Sequence, residues 1–159
     1  MKKFVYALTV SLAASTGCAV AQEKPTSEEA RKVVNYYFHG KGKGVVPMEY
    51  KFCQEVSLKG ENKNECVAEI TANSIKKGQE AYIWMNFLVP AGEQAKLLLQ
   101  YSRNDMVRDT GNLTLGGATR YRTWKRIPTS KAGEWKVKLI QEMDASDMEV
   151  GQLQYSVVD

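Results

Sequence analysis

From position 47 onward, apolar and polar residues alternate in short runs separated by polar turns. A period of two places alternate side chains on one face of a strand, so such runs are typical of strands with one buried side. About eight runs qualify, at 50–56, 66–71, 81–88, 96–102, 105–110, 119–127, 134–141 and 149–158. Because no helical pattern lies between them, they predict an all-β fold, an antiparallel β-sandwich of about eight strands.

One short helix is expected before the strands. Thr26 and Glu29 have the spacing of a capping box. The apolar residues that follow recur at helical intervals: Ala30, Val33, Val34, Tyr37 and Phe38. This pattern predicts a helix over 27–38, and the glycine-rich segment 39–44 predicts a loop.

The strand at 81–88 is apolar on both faces, so it is expected to be central and covered on both sides. One face carries Ala81, Ile83, Met85 and Phe87, and the other carries Tyr82, Trp84 and Leu88. The apolar stripe of the helix also needs a surface to cover. We therefore expect the helix to pack over this sheet, or else the second face to be a partner site.

The first 21 residues have the features of a secretory signal peptide. Lys2 and Lys3 provide a positive start, the segment 4–14 is largely apolar, and Ala19-Val20-Ala21 matches the small-x-small cleavage rule. The apolar segment is shorter than the roughly 20 residues that a membrane-spanning helix requires. We expect export from a Gram-negative-type cell to the periplasm, followed by a helix-and-loop segment at 22–46 and a β-domain at 47–159.

A second cleavage route is open at Cys18. Ser15-Thr16-Gly17-Cys18 resembles a bacterial lipobox, in which the cysteine is lipidated and begins the mature chain. Gly17 and Thr16 suit that signal, whereas Ser15 stands where an aliphatic residue is usual. Periplasmic release is therefore the favoured expectation, and an outer-membrane lipoprotein is the alternative.

Cys53 and Cys66 are the two cysteines that remain in the folded part. An oxidising compartment and an even count predict one disulfide, which would join the arms of a hairpin over 50–71. A zinc site is the competing interpretation. It is disfavoured because two cysteines with no histidine or third cysteine nearby cannot complete a tetrahedral shell.

No pattern of catalytic or cofactor-binding residues is present. The single histidine, His39, has no second metal ligand and no activated nucleophile beside it in the sequence. The sequence also contains no G-x-S-x-G nucleophile elbow and no glycine-rich phosphate-binding loop. The net charge is +4, and half of it comes from Lys2 and Lys3, which is too little to indicate nucleic-acid binding. We therefore expect a protein that is not an enzyme and that has no cofactor or metal.

The segment 119–126 is the candidate binding surface. On a strand, four side chains project from one face: Arg120, Arg122, Trp124 and Arg126. Three guanidinium groups beside an indole can bind phosphates, carboxylates or sugars through paired hydrogen bonds and stacking. The alternative is a solvated face on which the arginines pair with acids of neighbouring strands and Trp124 or Tyr121 lies in the core.

The C-terminal part resembles a known architecture. Gly133-Glu134-Trp135-Lys136-Val137, followed by Gly151 and Tyr155-Ser156-Val157, resembles the closing hairpin of immunoglobulin-like sandwiches in bacterial envelope proteins. The resemblance spans about 80–159 and implies an immunoglobulin-like fold. It implies no activity, because one sandwich architecture hosts many unrelated functions.

Together these patterns favour a non-catalytic periplasmic binding or protein-interaction module of the cell envelope. Its partner would be an envelope protein or an anionic glycan. Two alternatives stay open: a glycan-acting enzyme with an unrecognised carboxylate site, and a structural outer-membrane lipoprotein anchored through Cys18.

Overall fold

The computed structural model describes residues 26–36 and 44–159, without the side chains of 35, 36 and 91–93. In this part of the chain one helix, α1 (Ser27–Tyr36), precedes seven strands: β1 (Val46–Val56), β2 (Cys66–Ile70), β3 (Ile75–Lys76), β4 (Tyr82–Arg103), β5 (Met106–Arg126), β6 (Gly133–Glu142) and β7 (Met148–Val158). The predicted all-β class with one short helix is confirmed. The predicted signal peptide, Cys18 and His39 lie outside the described residues.

The capping box forms as predicted. The backbone N–H of Thr26 donates to Oε2 of Glu29 over 2.7 Å, and the backbone N–H of Glu29 donates to Oγ1 of Thr26 over 3.2 Å. Two donors at the start of α1, which have no partner within the helix, are thereby satisfied.

The strands β4 and β5, with 22 and 21 residues, each span two of the runs that the sequence pattern predicts as separate strands. The predicted end of a strand at 88 is wrong, because β4 continues past it to Arg103. Register shifts between Phe87 and Val89 and between Val89 and Gln94 absorb the extra residues as bulges. Bulges bend a strand without ending it. The four strands expected at 81–88, 96–102, 105–110 and 119–127 are therefore only two, β4 and β5.

A two-residue turn joins β4 to β5. Asn104 and Asp105 have φ angles of 52° and 57°. Two consecutive left-handed residues are the signature of a type I′ turn, whose twist matches that of the flanking strands. The tight turn starts the pairing at Arg103 and Met106, from which the two strands run side by side to Tyr82 and Arg126.

The strands form one sheet, in the order β2-β1-β4-β6-β7-β3, with β5 on the other edge of β4. The first half of β4 pairs with β1, its second half pairs with β6, and β5 pairs with both halves. The short strand β3 runs parallel to β7, so the sheet is mixed and the expectation of antiparallel pairing throughout is wrong. A two-residue strand is too short to show periodicity in the sequence.

The sheet folds over on itself around one apolar core. Phe52 in β1 lies 5.7 Å from Tyr155 in β7, ring centre to ring centre, although the two strands are not neighbours in the sheet. The inner residues of β4, Ile83, Met85 and Phe87, are buried in the same core as Leu139 of β6. The immunoglobulin-like sandwich arrangement itself stays a prediction.

Gly44 marks the entry into β1. Its φ is +104°, and a Cβ atom at this position would lie 2.1 Å from Oε1 of Gln141. That same oxygen accepts a 2.9 Å hydrogen bond from the backbone N–H of Val45. The close approach of backbone to the buried amide therefore requires glycine.

Two tyrosines, Tyr101 and Tyr155, are equally buried but differ in the hydrogen bonding of their hydroxyl groups. The hydroxyl of Tyr155 donates to the carbonyl of Pro128 over 2.8 Å, whereas that of Tyr101 has no hydrogen-bond partner among the described residues. Burial raises the pKa of both, so both stay neutral at physiological pH.

We predict opposite effects of removing these two hydroxyls. Tyr101→Phe raises the free energy of unfolding by about 1 kcal/mol, because it removes a buried polar group that makes no hydrogen bond. Tyr155→Phe lowers it by about 1 kcal/mol, because it leaves the carbonyl of Pro128 without its donor. Urea titrations of both variants measure the difference, and a loss of the same size in both would contradict the assignment.

Candidate functional site

A small second core lies on the outer face of the sheet. The predicted disulfide between Cys53 and Cys66 is present, with 5.8 Å between the Cα atoms. It packs with Val56 and with Trp84, which is 4% exposed. The indole N–H of Trp84 donates to the carbonyl of Asn64 in the loop that joins β1 and β2. The disulfide hairpin therefore folds over this face and covers Trp84.

Two members of the predicted arginine surface lie beside this hairpin. Arg122 pairs with Glu65, with 2.6 Å between Nη1 and Oε1. Trp124 is half-buried and meets the ring of Tyr82 edge-on at 5.2 Å. Arg122 thus attaches the loop of the hairpin to β5, and Trp124 packs beside it on the sheet.

Arg120 attaches α1 to the sheet. Its Nη2 lies 3.0 Å from Oε2 of Glu29, and its Nε donates to Oε1 over 3.2 Å, so both carboxylate oxygens are engaged. The hydrogen bond from Arg120, reinforced by the backbone N–H of Thr26, lowers the pKa of Glu29 to about 2. The helix therefore lies over the Leu88 end of the face on which it was expected, whereas Trp84 on the same face is covered by the disulfide hairpin.

The structure places the four candidate residues on one strand but gives them different surroundings. Arg120 and Arg122 are in ion pairs, Trp124 packs on the small core, and Arg126 is exposed. Two arginines thus pair with acids, although these acids lie on α1 and in the loop between β1 and β2 and not on neighbouring strands, where the alternative interpretation expected them. A binding role for the four residues stays a prediction.

An apolar pocket of about 280 Å³ lies beneath α1. Its walls come from the helix and from three strands, through Glu29, Ala30, Val33, Val34, Met48, Leu88, Thr119 and Arg120. Met48 stands at a register shift of β1 and is 6% exposed. Because the ion pair of Arg120 and Glu29 forms part of the wall, the contact that attaches the helix also shapes the pocket.

A second, polar pocket of about 290 Å³ adjoins the first, since Glu29 and Met48 line both. Its other walls are Thr26, Glu28, Lys32, Glu49 and Asn86. The amine of Lys32 donates to the carbonyl of Met48 over 3.0 Å, which adds a second attachment of α1 to β1. The two pockets form the candidate site, which we call the α1 cleft.

Part of this cleft can be predicted from the sequence. The helical stripe containing Val33 and the apolar outer face containing Leu88 were expected to meet. Met48 and Asn86 were missed. A signal for Asn86 existed, because it is an amide within the otherwise apolar run 81–88.

Within residues 26–36 and 44–159, no group of three or more histidine, cysteine, aspartate or glutamate side chains is placed to hold a metal ion. In the same residues, no helix has the length and apolarity needed to cross a membrane.

Comparisons with known proteins add little to this geometry. Neither a protein-family model nor a curated protein matches the sequence. Among solved structures, the crystal structure of the C-terminal domain of wzt is similar, with a TM-score of 0.49 and 7% sequence identity over 73% of this chain and 74% of that chain. A likeness this weak gives no information on the function of this chain.

Proposed function

We propose that this chain is a non-catalytic binding module of the bacterial cell envelope, and that the apolar pocket beneath α1 binds a small ligand with an apolar body. The pocket carries the proposal. Ligand sites in proteins are concave and mostly apolar, with a few polar groups at fixed positions. The pocket beneath α1 has this composition, with the ion pair of Arg120 and Glu29 as its polar edge.

The pocket is held open by contacts that do not involve a ligand. The two hydrogen bonds of the capping box fix the start of α1, and Arg120 and Lys32 attach the helix to β5 and β1. A preformed pocket loses little conformational freedom on binding, so a smaller part of the free energy gained by burying apolar ligand surface is offset.

The disulfide supports the proposed location outside the cytoplasm. Disulfides persist in oxidising compartments such as the periplasm and are rare in the cytosol. Cys53 and Cys66 are bonded across a hairpin, in agreement with export through the predicted signal peptide. Recovery of the chain from the cytosolic fraction with both thiols reactive would contradict this part of the proposal.

Filling the pocket tests the proposed function. We expect Val33→Trp to weaken binding of the uncharged fluorescent probe N-phenyl-1-naphthylamine at least tenfold, because the indole occupies the space of the ligand. Leu88→Trp fills the pocket from the facing strand and should act alike. Fluorescence titration of the purified protein measures both affinities.

The matched control is Val67→Trp, which adds an indole on β2 at an exposed position outside the pocket. It should leave the affinity for the probe unchanged. Equal probe affinity in the wild type and in both pocket variants would overturn the proposal, as would an absence of binding to the wild type.

A further inference from the structure

The outer edge of β7 is open over most of its length. On one side β7 pairs with β6 from Met148 to Val157. On the other side, in the part of the chain that the structure describes, it pairs only with the two-residue strand β3, at Val157 and Val158. The edge from 148 to 155 is therefore a row of backbone groups with which a further strand can pair.

The hydrogen bond of Ser156 shows which backbone groups point outward from this edge. Its N–H donates to the carbonyl of Ala72 over 2.8 Å, away from β6. Backbone groups alternate in direction along an antiparallel strand, and the pairing of β7 with β6 has no register shift over 151–157. The N–H and C=O groups of Gln152 and Gln154 therefore also point away from β6.

A cavity of about 290 Å³ lies between this edge and β1 and reaches the main core. Its buried walls include Met85, Phe87, Leu139 and Leu153. The consecutive residues 151–153 of β7 line the cavity together. Because successive side chains point to opposite faces of a sheet, such a run meets a cavity at the edge of its strand. The main core can thus be reached beside the open edge.

Tyr50 is an inward-facing side chain that stays uncovered at this cavity. It stands opposite Met85 in the pairing of β1 with β4, and Met85 is in the main core, so both side chains are on the inner face. Tyr50 is nevertheless 52% exposed. It also lines a second cavity, of about 400 Å³, which Gln154 of β7 lines too. A strand added beside β7 would cover this ring.

The charged side chains at the rim of the two cavities are already paired. The amine of Lys51 lies 3.5 Å from Oε1 of Glu49 and 3.6 Å from Oε2 of Glu69. The amine of Lys32 lies 3.4 Å from Oε1 of Glu28. These pairs favour an uncharged occupant.

We propose that the open edge of β7 binds an extended, uncharged peptide segment of a partner protein as an additional strand. In strand addition, main-chain hydrogen bonds supply affinity, and pockets for alternate side chains supply specificity. The outward groups of Gln152 and Gln154 serve the first purpose, and the cavities beside Tyr50 serve the second. One face of the added strand meets the core and the other meets solvent, so the segment has apolar residues at alternate positions.

This inference goes beyond the proposed function and does not depend on it. The site lies beside the inner face of β1, whereas the apolar pocket beneath α1 lies on the outer face with Leu88. Met48 lines both, at the edge of β1 between the two faces.

A fluorescein-labelled peptide of alternating valine and threonine residues, as long as the open edge, tests the site by fluorescence anisotropy. Two N-methylated forms, one methylated at the valines and the other at the threonines, separate main-chain pairing from apolar contact. Alternate N–H groups of a strand point to opposite edges, so only one set can face β7. We expect one form to bind the wild type at least tenfold more weakly and the other to bind within threefold of the unmodified peptide.

Variants of β7 locate the pairing. Gln152→Pro removes an outward N–H without breaking a hydrogen bond to β6, a place where an edge strand tolerates proline. It should weaken binding of the unmodified peptide at least tenfold. The matched control, Gln152→Thr, changes the same side chain but keeps the N–H, so its affinity should stay within threefold of the wild type. Val33→Trp, which fills the pocket beneath α1, should also leave peptide binding unchanged.

The outcomes decide between occupants of the edge. Equal affinity of the two methylated forms for the wild type would overturn the proposal, even if Gln152→Pro fails to fold. Unchanged affinity of a folded Gln152→Pro would do the same, as would an absence of saturable binding to the wild type. If the wild type binds no peptide but dimerises in light scattering, and Gln152→Pro is monomeric, a second copy of this chain occupies the edge and the peptide site is overturned.

Discussion

Replacing both Cys53 and Cys66 by alanine is expected to lower the free energy of unfolding by about 3 kcal/mol. The bond joins residues 13 positions apart. A cross-link that closes a loop of this size lowers the conformational entropy of the unfolded chain, and this raises the free energy of unfolding by about 3 kcal/mol. The loss should be larger than this value if the hairpin of the variant also no longer packs on Trp84. Guanidinium titration of the oxidised wild type and the double variant measures the difference.

Two further measurements identify the cause of that loss. Reducing the wild type should reproduce most of the effect, because it opens the same loop without changing the side chains' size. The tryptophan emission should shift to longer wavelength in the variant, since the loop that covers Trp84, one of the three tryptophans, is released. A loss below 1 kcal/mol would contradict a stabilising role for the disulfide.

Truncating Trp135 is expected to lower the free energy of unfolding by about 3–5 kcal/mol, the usual range for a fully buried large aromatic residue. Its ring is 3% exposed and stacks on Tyr155, with 5.9 Å between centres and 9° between planes. The guanidinium of Arg103 lies 5.5 Å from the ring centre, and the indole N–H donates to the carbonyl of Lys131 over 3.1 Å. Trp135→Ala loses all of these contacts.

The matched control is Trp124→Ala, which removes the same side chain from a half-buried position on β5. Trp124 packs only on the small outer core, so its loss should be less than half as large. Equal losses in the two variants would show that Trp135 is not a central core residue. Thermal and denaturant unfolding of both proteins provide the comparison.

Local signals in the sequence predicted local structure well. The capping box at Thr26 and Glu29 and the disulfide hairpin follow from short-range spacing, and both are present. The Gly-x-Trp-x-Val strand also places Trp135 and Val137 in the core, as its alternation indicates. In each case the residues that make the structure lie within about 15 positions of one another.

Features that depend on distant segments were not predicted. Pro90 and its neighbours have the composition of a turn, yet bulges carry β4 past them because both halves of the strand find partners. The acids that pair with Arg120 and Arg122, namely Glu29 and Glu65, lie 91 and 57 positions earlier in the chain. For the same reason, only part of the α1 cleft was predicted: the helix and the face that contains Leu88, but not Met48 or Asn86.

The length of β4 has a consequence for how cooperatively the protein unfolds. Its first half binds β1 and its second half binds β6, while β5 runs beside both. Neither part of the sheet can separate without breaking pairs along the same two strands. We therefore expect that no part of the β-domain unfolds independently of the rest, and that its unfolding is a single two-state transition.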